Sequence, residues 1–261
     1  MEPLLSGMSG PDALVVAGVY SRMAAAVVAG TLPLVAGGGV WIRLGLAAAL
    51  AVVATPAALA AHHAPHGASI GSPVGVVLGE LLVGLALGTA MAAVAAAAGW
   101  AGGILGSVSG LTWADDFDPV AGGETAGIAR LCWWVGMAAF CAAGGQLAVV
   151  GAVVDSVREV PVGTAFGGPP QEWLVVLAVR TPAVAVSVAA MLALPALAAV
   201  VAFHMVSSIC LRAVSFVAGA GFLQGLASVV LLASLWLGAE AWAGGGAIAM
   251  LRAIDGCRGG R

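Results

Sequence analysis

The stretch VGVVLGELLVGLALGTAMAAVAAAAGWAGGIL, residues 74–105, decides the fold class, because its 32 positions include one charged side chain, Glu80. About 20 apolar residues, at 1.5 Å each, cross the hydrocarbon core of a bilayer as an α-helix. A single helix over this stretch would be about 48 Å long, which exceeds that core. We therefore predict a membrane helix that is either tilted or broken, with Gly99 as the point of a break.

Composition extends this prediction to the rest of the chain. Of 261 residues, 62% are hydrophobic and 8% are charged, whereas a soluble domain carries about 25% charged residues. Five further apolar stretches cover residues 13–36, 40–61, 128–154, 173–206 and 209–237. We expect an all-α, polytopic membrane protein with about six hydrophobic helical stretches. Some of these should be kinked or broken, notably at Pro182 and Pro195.

The organisation expected is one membrane-embedded domain over residues 1–261, surrounded by membrane lipid. The formal net charge is −3 and no basic patch is present, so a nucleic-acid partner is not expected. The four cysteines form no CxxC pair, and no HExxH, GxSxG or P-loop motif occurs in a supporting context. We accordingly expect no enzyme activity, no cofactor and no metal site.

Glycine accounts for 39 residues, and several glycines recur at four-residue spacing, among them Gly102 with Gly106 and, as the packing positions singled out, Gly84 with Gly88 and Gly99 with Gly103. In lipid, small residues allow two helix backbones to approach closely, and this contact holds membrane helices together. The spacing predicts tight helix packing at these four glycines. The packing can lie within the chain or between chains, and a composition rich in small residues also produces such spacings by chance.

Charged residues inside apolar stretches are costly, and they usually face protein, a cavity or another charge. Arg22 and Glu80 lie within such stretches, and we expect both to face protein or a pore. Arg130 and Asp155 flank the fourth stretch, and Arg212 lies near the start of the sixth. For Arg130 and Asp155, extension of the side chain to the membrane surface is an equally open interpretation.

The segment Trp113-Ala114-Asp115-Asp116-Phe117-Asp118-Pro119 separates the third and fourth stretches. Its three carboxylates lack the EF-hand pattern that would wrap a calcium ion, so a metal is not expected there. The segment either folds back into a cavity or lies solvated at the membrane surface. The cluster His62, His63 and His66 is interpreted as a polar turn, because no carboxylate or cysteine accompanies it.

A series of short motifs follows in a fixed order along the chain. They are Gly79-Glu80, Gly84, Gly88, Ala98-Gly99, Gly106, Phe117-Asp118-Pro119, Arg130, Gly144-Gly145, Asp155-Ser156 and Pro161-Val162-Gly163. In this order and spacing they resemble the FliR/SctT family of flagellar and injectisome type III export-apparatus membrane proteins. The resemblance is strongest over residues 79–163. In the last segment the chain departs from the family pattern at Phe222-Leu223-Gln224.

The resemblance implies a non-enzymatic subunit of a bacterial protein-export gate in the inner membrane. Residues 13–206 would form a FliP-like portion, and residues 207–240 would lie within a FliQ-like C-terminal hairpin. The implied partners are FliP-like and FliQ-like subunits, FlhB-like and FlhA-like components, and the exported polypeptides. The motifs differ little between flagellar and injectisome members, so both systems stay open, and the flagellar one is favoured only because it is more abundant.

The same resemblance assigns roles to individual residues. The loop is similar to a plug that closes the channel from inside, with Trp113, Phe117, Asp118 and Pro119 as its candidates and Gly106 and Gly110 as its hinge. The charged residues introduced above would lie at subunit interfaces or inside the membrane.

Two other function classes remain open from the sequence. A small-molecule transporter or permease subunit would use Glu80 and Arg22 as substrate or proton sites. A membrane-embedded transferase would use Asp115, Asp116 and Asp118 with Mg²⁺.

Overall fold

A computed structural model describes residues 10–30, 39–63, 72–110, 127–164, 170–213 and 220–237, with single positions at 244, 245, 248 and 252. Within the six main ranges the regular structure is helical. The helices are α1 (Gly10–Ala29), α2 (Val40–His62), α3 (Pro73–Ser109), α4 (Gly127–Ala142), α5 (Gly145–Glu159), α6 (Pro170–Ala213) and α7 (Ala220–Leu237). No strand occurs in these ranges, and the prediction of an all-α fold is confirmed.

Four of the described helices are long and apolar enough to cross a membrane: α1, α2, α3 and the Leu177–Cys210 part of α6. A fifth span results if α4 and α5 are counted as one bent span. The protein is therefore a multi-pass membrane protein, as its composition predicts.

The ends of α3 follow from local sequence. Ser72 caps its N-terminus, because its Oγ accepts a hydrogen bond from the Gly75 N–H at 3.2 Å, and Pro73 needs no such partner. At the other end, the Ser109 hydroxyl donates to the Gly106 carbonyl oxygen at 3.2 Å. Gly110 then takes a φ of +73°, the left-handed conformation that commonly ends a helix.

The predicted break at Gly99 is wrong, because α3 is one helix of 37 residues that continues through this glycine. In lipid, an interrupted helix would leave its N–H and C=O groups without water to bind them, so glycine breaks helices less readily there than in water. The length, about 55 Å at 1.5 Å per residue, agrees with the alternative of a tilted or projecting helix.

The break occurs instead within the fourth predicted stretch. Residues 128–154 were expected as one helical stretch, but α4 ends at Ala142 and α5 begins at Gly145. Gly144 has a φ of +80°, a conformation that residues with a side chain rarely adopt. The Gly144-Gly145 pair therefore marks the interruption.

The predicted boundary between the fifth and sixth stretches, at residues 206–209, is also wrong. Helix α6 continues to Ala213, since no glycine or proline lies between residues 206 and 213, and α7 begins at Ala220. Helix α6 runs through Pro182 and Pro195 without interruption, and the kinks expected at these prolines stay a prediction. Membrane helices tolerate proline because neighbouring groups satisfy the freed backbone atoms.

The described helices pack into two compact units. The first contains α1, α2, the part of α3 up to Ala93, α5 from Gln146 and the part of α6 up to Pro182. Its core is formed by Val15, Val19, Met23 and Val27 of α1 with Ala47, Leu50, Ala54, Ala58, Val153, Val157 and Val162.

The second unit contains α3 from Val94, α4, α6 from Ala183, and α7. Its buried apolar side chains include Leu105, Phe140, Val200 and Leu231. The prediction of a single domain with FliP-like and FliQ-like parts is not tested by this division, and it stays a prediction.

Candidate functional site

Two charged side chains meet at the centre of the first unit. Arg22 of α1 and Glu80 of α3 are both fully buried. The Arg22 Nε donates to Glu80 Oε2 at 2.5 Å, across 58 residues of sequence. A buried charge is tolerated when an opposite charge and further hydrogen bonds satisfy it.

Backbone groups at the end of α5 supply those further hydrogen bonds. Arg22 Nη1 donates to the Ser156 carbonyl oxygen at 2.9 Å, and Nη2 donates to that of Val160 at 2.8 Å. The Gly163 N–H donates to Glu80 Oε1 at 3.1 Å. Each guanidinium nitrogen and each carboxylate oxygen thus has a partner. We call these five residues the buried ionic cluster.

The last turn of α5 suits an arginine for a general reason. The final carbonyl groups of a helix lack intrahelical partners and carry a partial negative charge. Gly163 follows the helix with a φ of +89°, which a residue with a side chain adopts only with strain. The turn Pro161-Val162-Gly163 therefore places a backbone N–H against Glu80.

A close approach of α1 to α3 brings the two charges together. A β-carbon on Gly84 would collide with the Arg22 carbonyl oxygen, and one on Gly88 would lie 2.6 Å from the Ala26 carbonyl oxygen. Gly18 similarly faces Glu80. These contacts advance along both helices in the same direction, so α1 and α3 pack in parallel, and both glycines lie in that interface.

The other predicted charged residues lie elsewhere. Asp155 is partly exposed and lies 3.8 Å from Arg158 one turn later, which is a weak surface pair. Arg130 is exposed. Arg212 belongs to α6, and its side chain lies outside the described residues. The assignment of all five charged residues to subunit interfaces stays a prediction.

Three members of the buried ionic cluster were missed by sequence reasoning: Ser156, Val160 and Gly163. They act through backbone atoms, which every residue possesses, so their residue types do not indicate the role. The Asp155-Ser156 and Pro161-Val162-Gly163 motifs were the available indication, since they stand out among the family-like positions.

In the second unit, the close approach occurs at a glycine that belongs to the four-residue spacings but was not among the four packing positions singled out. A β-carbon on Gly102 would lie 2.7 Å from both the Ala129 Cα and the Cys132 Cβ. One on Gly99 would be at ordinary contact distance, and one on Gly103 would meet nothing within 4 Å. Gly102 is therefore the position at which α4 packs closely against α3.

The neighbours Gly102 and Gly103 offer a matched test of this packing. We expect Gly102→Ala to lower the free energy of unfolding by about 1–3 kcal/mol, because backbone atoms of α4 must move to accept the new methyl group. Gly103→Ala should leave stability within about 0.5 kcal/mol, since its side chain enters open space. Unfolding in mixed detergent micelles with increasing dodecyl sulfate measures both. Equal losses for the two variants would contradict the assignment.

Contacts of three glycines show how α3 and α4 run relative to each other. Gly106 faces Ile128, Gly102 faces Ala129 and Cys132, and Gly99 faces Trp133. Positions descend along α3 as they ascend along α4, so the two helices form an antiparallel hairpin. In the sequence, residues 111–126 connect the two helices.

The four plug candidates, Trp113, Phe117, Asp118 and Pro119, lie outside the described residues, and so do Asp115, Asp116 and His66. The two hinge candidates are described. Gly106 is buried against α4, and Gly110 lies at the very start of the loop.

A histidine directly after α2 contacts an acidic residue of α1. His63 Nε2 lies 3.2 Å from Asp12 Oδ1 near the ends of these helices. Among the residues that the structure describes, no group of three or more histidine, cysteine or acidic side chains is arranged to hold a metal ion.

The family model described as "Bacterial export proteins, family 1" matches residues 13–244, which is most of the chain. No curated protein sequence matches.

Proposed function

The chain belongs to the bacterial export proteins, family 1, the FliR/SctT family of type III export-apparatus proteins, and from this we propose that it is a structural and gating subunit of the export gate. It is a multi-pass membrane protein and a component of a bacterial type III export apparatus. The proposed finer role is to help form the channel for unfolded substrate proteins and to plug it at rest. The proposed location is the inner membrane.

The gating role is supported by the arrangement of the two helices, α3 and α4, that flank the loop in sequence. Residues 111–126 connect the ends of an antiparallel membrane hairpin, and they contain Trp113 and Phe117. Bulky apolar side chains in a narrow passage exclude water and ions by dewetting. A hairpin that is itself held by close packing at Gly102 offers a firm base for such a segment.

The buried ionic cluster favours this role over a small-molecule transporter. A substrate or proton site at Arg22 and Glu80 would need access and free hydrogen-bonding groups. Both side chains are fully buried, and each guanidinium nitrogen and carboxylate oxygen already has a partner within the chain. Such a cluster serves to fix α1, α3 and the end of α5 to one another.

The exposed surfaces support a role within an assembly. Large apolar side chains are exposed along α6, among them Met191, Leu194 and Met205. In the membrane they face lipid or neighbouring subunits. We propose FliP-like and FliQ-like subunits as the neighbours, together with FlhB-like and FlhA-like components.

Purification from the native membrane tests the assembly. The tagged chain, extracted in mild detergent, should retain at least two other small membrane proteins, which mass spectrometry identifies. Their sequences also show whether the apparatus is flagellar or an injectisome. An unrelated tagged multi-pass protein of the same membrane is the control. A stable, monodisperse monomer that retains no companion would contradict the proposal.

A further inference from the structure

The first turn of α2 exposes three large apolar side chains in a row. Val40, Trp41 and Ile42 are 64%, 85% and 62% exposed, and Trp41 is the most exposed large apolar side chain among the described residues. Successive residues of an α-helix point about 100° apart, so these three side chains surround more than half of the helix. A neighbouring helix would cover one face of this turn, whereas lipid molecules can surround it.

An arginine lies in the same turn. The Arg43 side chain is partly buried, and its Nη1 donates to the Val28 carbonyl oxygen at 3.4 Å, near the end of α1. The last carbonyl groups of a helix lack intrahelical partners and carry a partial negative charge, so this contact holds the guanidinium group in place. No acidic side chain in the part of the chain that the structure describes forms an ion pair with Arg43. Its positive charge is therefore available to an external anion.

The two ends of the α1–α2 pair differ in charge. Val28 contacts Arg43 at one end, and Asp12 contacts His63 at the other, so the two helices are antiparallel. Arg43 and His63 lie about 30 Å apart along α2, the thickness of the hydrocarbon core. One end of the pair thus presents an arginine without an acid, and the other presents a carboxylate beside an imidazole. Attraction for an anion is greater at the Arg43 end.

The residue types in this turn match a phospholipid at the surface of the membrane. Tryptophan concentrates at the membrane–water interface, because its ring is apolar and its N–H can donate a hydrogen bond. A guanidinium group donates two parallel hydrogen bonds to a phosphate. Val40 and Ile42 add apolar surface that suits acyl chains. Helix α2 is itself long and apolar enough to cross the membrane, so its first turn lies where headgroups begin.

We propose that Trp41 and Arg43 form a binding site for an anionic phospholipid. Arg43 binds the phosphate of the headgroup, Trp41 lies between headgroup and acyl chains, and Val40 and Ile42 contact those chains. A carboxylate of a neighbouring subunit carries the same charge as this phosphate, but exposure around more than half of the helix favours lipid over one protein partner. The site is independent of the export function proposed above.

Competition between two lipids tests the site. The full chain, purified with the subunits that it retains, is mixed with equal amounts of phosphatidylglycerol and phosphatidylcholine in dodecyl maltoside micelles. Native mass spectrometry counts the retained lipids of each kind. We expect the preference for phosphatidylglycerol to fall by about fivefold in Arg43→Met, the contribution of one arginine to the binding of anionic lipid. An equal preference in the unaltered and Arg43→Met chains would overturn the proposal.

Two further arginine variants separate the charge of Arg43 from its packing. Arg43→Lys keeps the charge and should retain at least half of the preference; its complete loss there would show that packing alone matters, and would contradict the site. Arg158→Met is the matched control, because Arg158 is exposed and already lies 3.8 Å from Asp155. It should leave the preference unchanged, and a fivefold fall in this control would reveal a general charge effect instead of a site.

The tryptophan and the nature of the anion are tested in the same assay. Trp41→Ala should lower the retention of both lipids, since the ring contacts the lipid whatever its headgroup, and unchanged retention would contradict its part in the site. Inorganic phosphate at the concentration of the lipid should not displace phosphatidylglycerol. Displacement would mean that Arg43 binds the free anion. Release of a partner subunit by Arg43→Met, with an unchanged lipid preference, would assign Arg43 to a protein carboxylate and overturn the proposal.

Discussion

Glu80→Gln is expected to lower the free energy of unfolding by about 3–5 kcal/mol, because it leaves the buried Arg22 charge without its counter-charge. The substitution preserves size and shape, so packing around the site is unchanged. In the unaltered chain, Arg22 Nε donates a hydrogen bond to Glu80 Oε2. In the variant, the new amide nitrogen can face that Nε, so that two donors meet with no acceptor between them.

Substitution of Arg22 is also expected to lower the free energy of unfolding, because it leaves the opposite charge, that of Glu80, without its partner. Arg22→Met keeps most of the side-chain volume and leaves Glu80 charged and buried. The carbonyl oxygen of Ser156 still accepts from the Val160 N–H at 2.9 Å, whereas that of Val160 loses the donor that Arg22 supplied. We expect a loss of about 3–5 kcal/mol here too.

The double variant gives the sharpest test. Combining Arg22→Met with Glu80→Gln removes both charges, and the Gly163 N–H can still donate to the amide oxygen of the glutamine introduced at position 80. Each single change is costly because it leaves one buried charge isolated, whereas the double change leaves none. We therefore expect the double variant to be more stable than either single variant. Unfolding by dodecyl sulfate in mixed micelles gives the three free energies.

Arg130→Met is the control for removal of an arginine from this chain. Its side chain is exposed, and its loss should change the free energy of unfolding by less than about 0.5 kcal/mol. Strictly additive losses in the double variant would contradict the mutual dependence of Arg22 and Glu80. Single variants as stable as the unaltered chain would contradict the cluster altogether.

Hydropathy was sufficient to predict the membrane helices, because spanning a bilayer constrains composition strongly. It did not predict where helices end or break. Gly99 and Gly144 are both glycines in apolar surroundings, and one lies inside a continuous helix while the other adopts a φ of +80°. The difference lies in the packing around each glycine, which the local sequence does not contain.

The candidate site was predictable only in part, because it too depends on how the helices pack. The cost of charge in lipid identified Arg22 and Glu80 as residues that need partners, but it did not show that they are partners of each other. That pairing depends on the rotation of α1 against α3, which Gly84 and Gly88 permit. Likewise, the four-residue glycine spacings included Gly102 with Gly106 and Gly99 with Gly103, but they did not show which face of α3 meets α4. Gly102 lies in that interface, whereas a β-carbon on Gly103 would meet nothing within 4 Å.

Removal of the loop is expected to have the largest effect on function. Deleting Thr112 to Gly122 leaves six residues, 110, 111 and 123–126, to join α3 and α4, a length usual for a connection between antiparallel helices. The hairpin and its packing at Gly102 should therefore persist, and the partner subunits should still be retained. If the loop blocks the passage, its removal opens the gate to ions.

A second change separates the bulk of the loop from its length. Replacing residues 112–122 with glycine and serine keeps the number of residues but removes Trp113, Phe117 and Pro119. Because the block depends on large apolar side chains, we expect this variant to leak as the deletion does. Asp115→Asn with Asp116→Asn keeps those side chains and should stay closed, whereas a transferase that binds Mg²⁺ there would lose its activity.

The decisive measurement is the ion conductance of purified gates reconstituted in liposomes or planar bilayers. With partner subunits retained in equal amounts, gates that lack residues 112–122 should conduct about tenfold more than unaltered gates, since the apolar constriction is gone. Equal, low conductance of the deleted and unaltered gates would contradict the claim that this loop closes the passage.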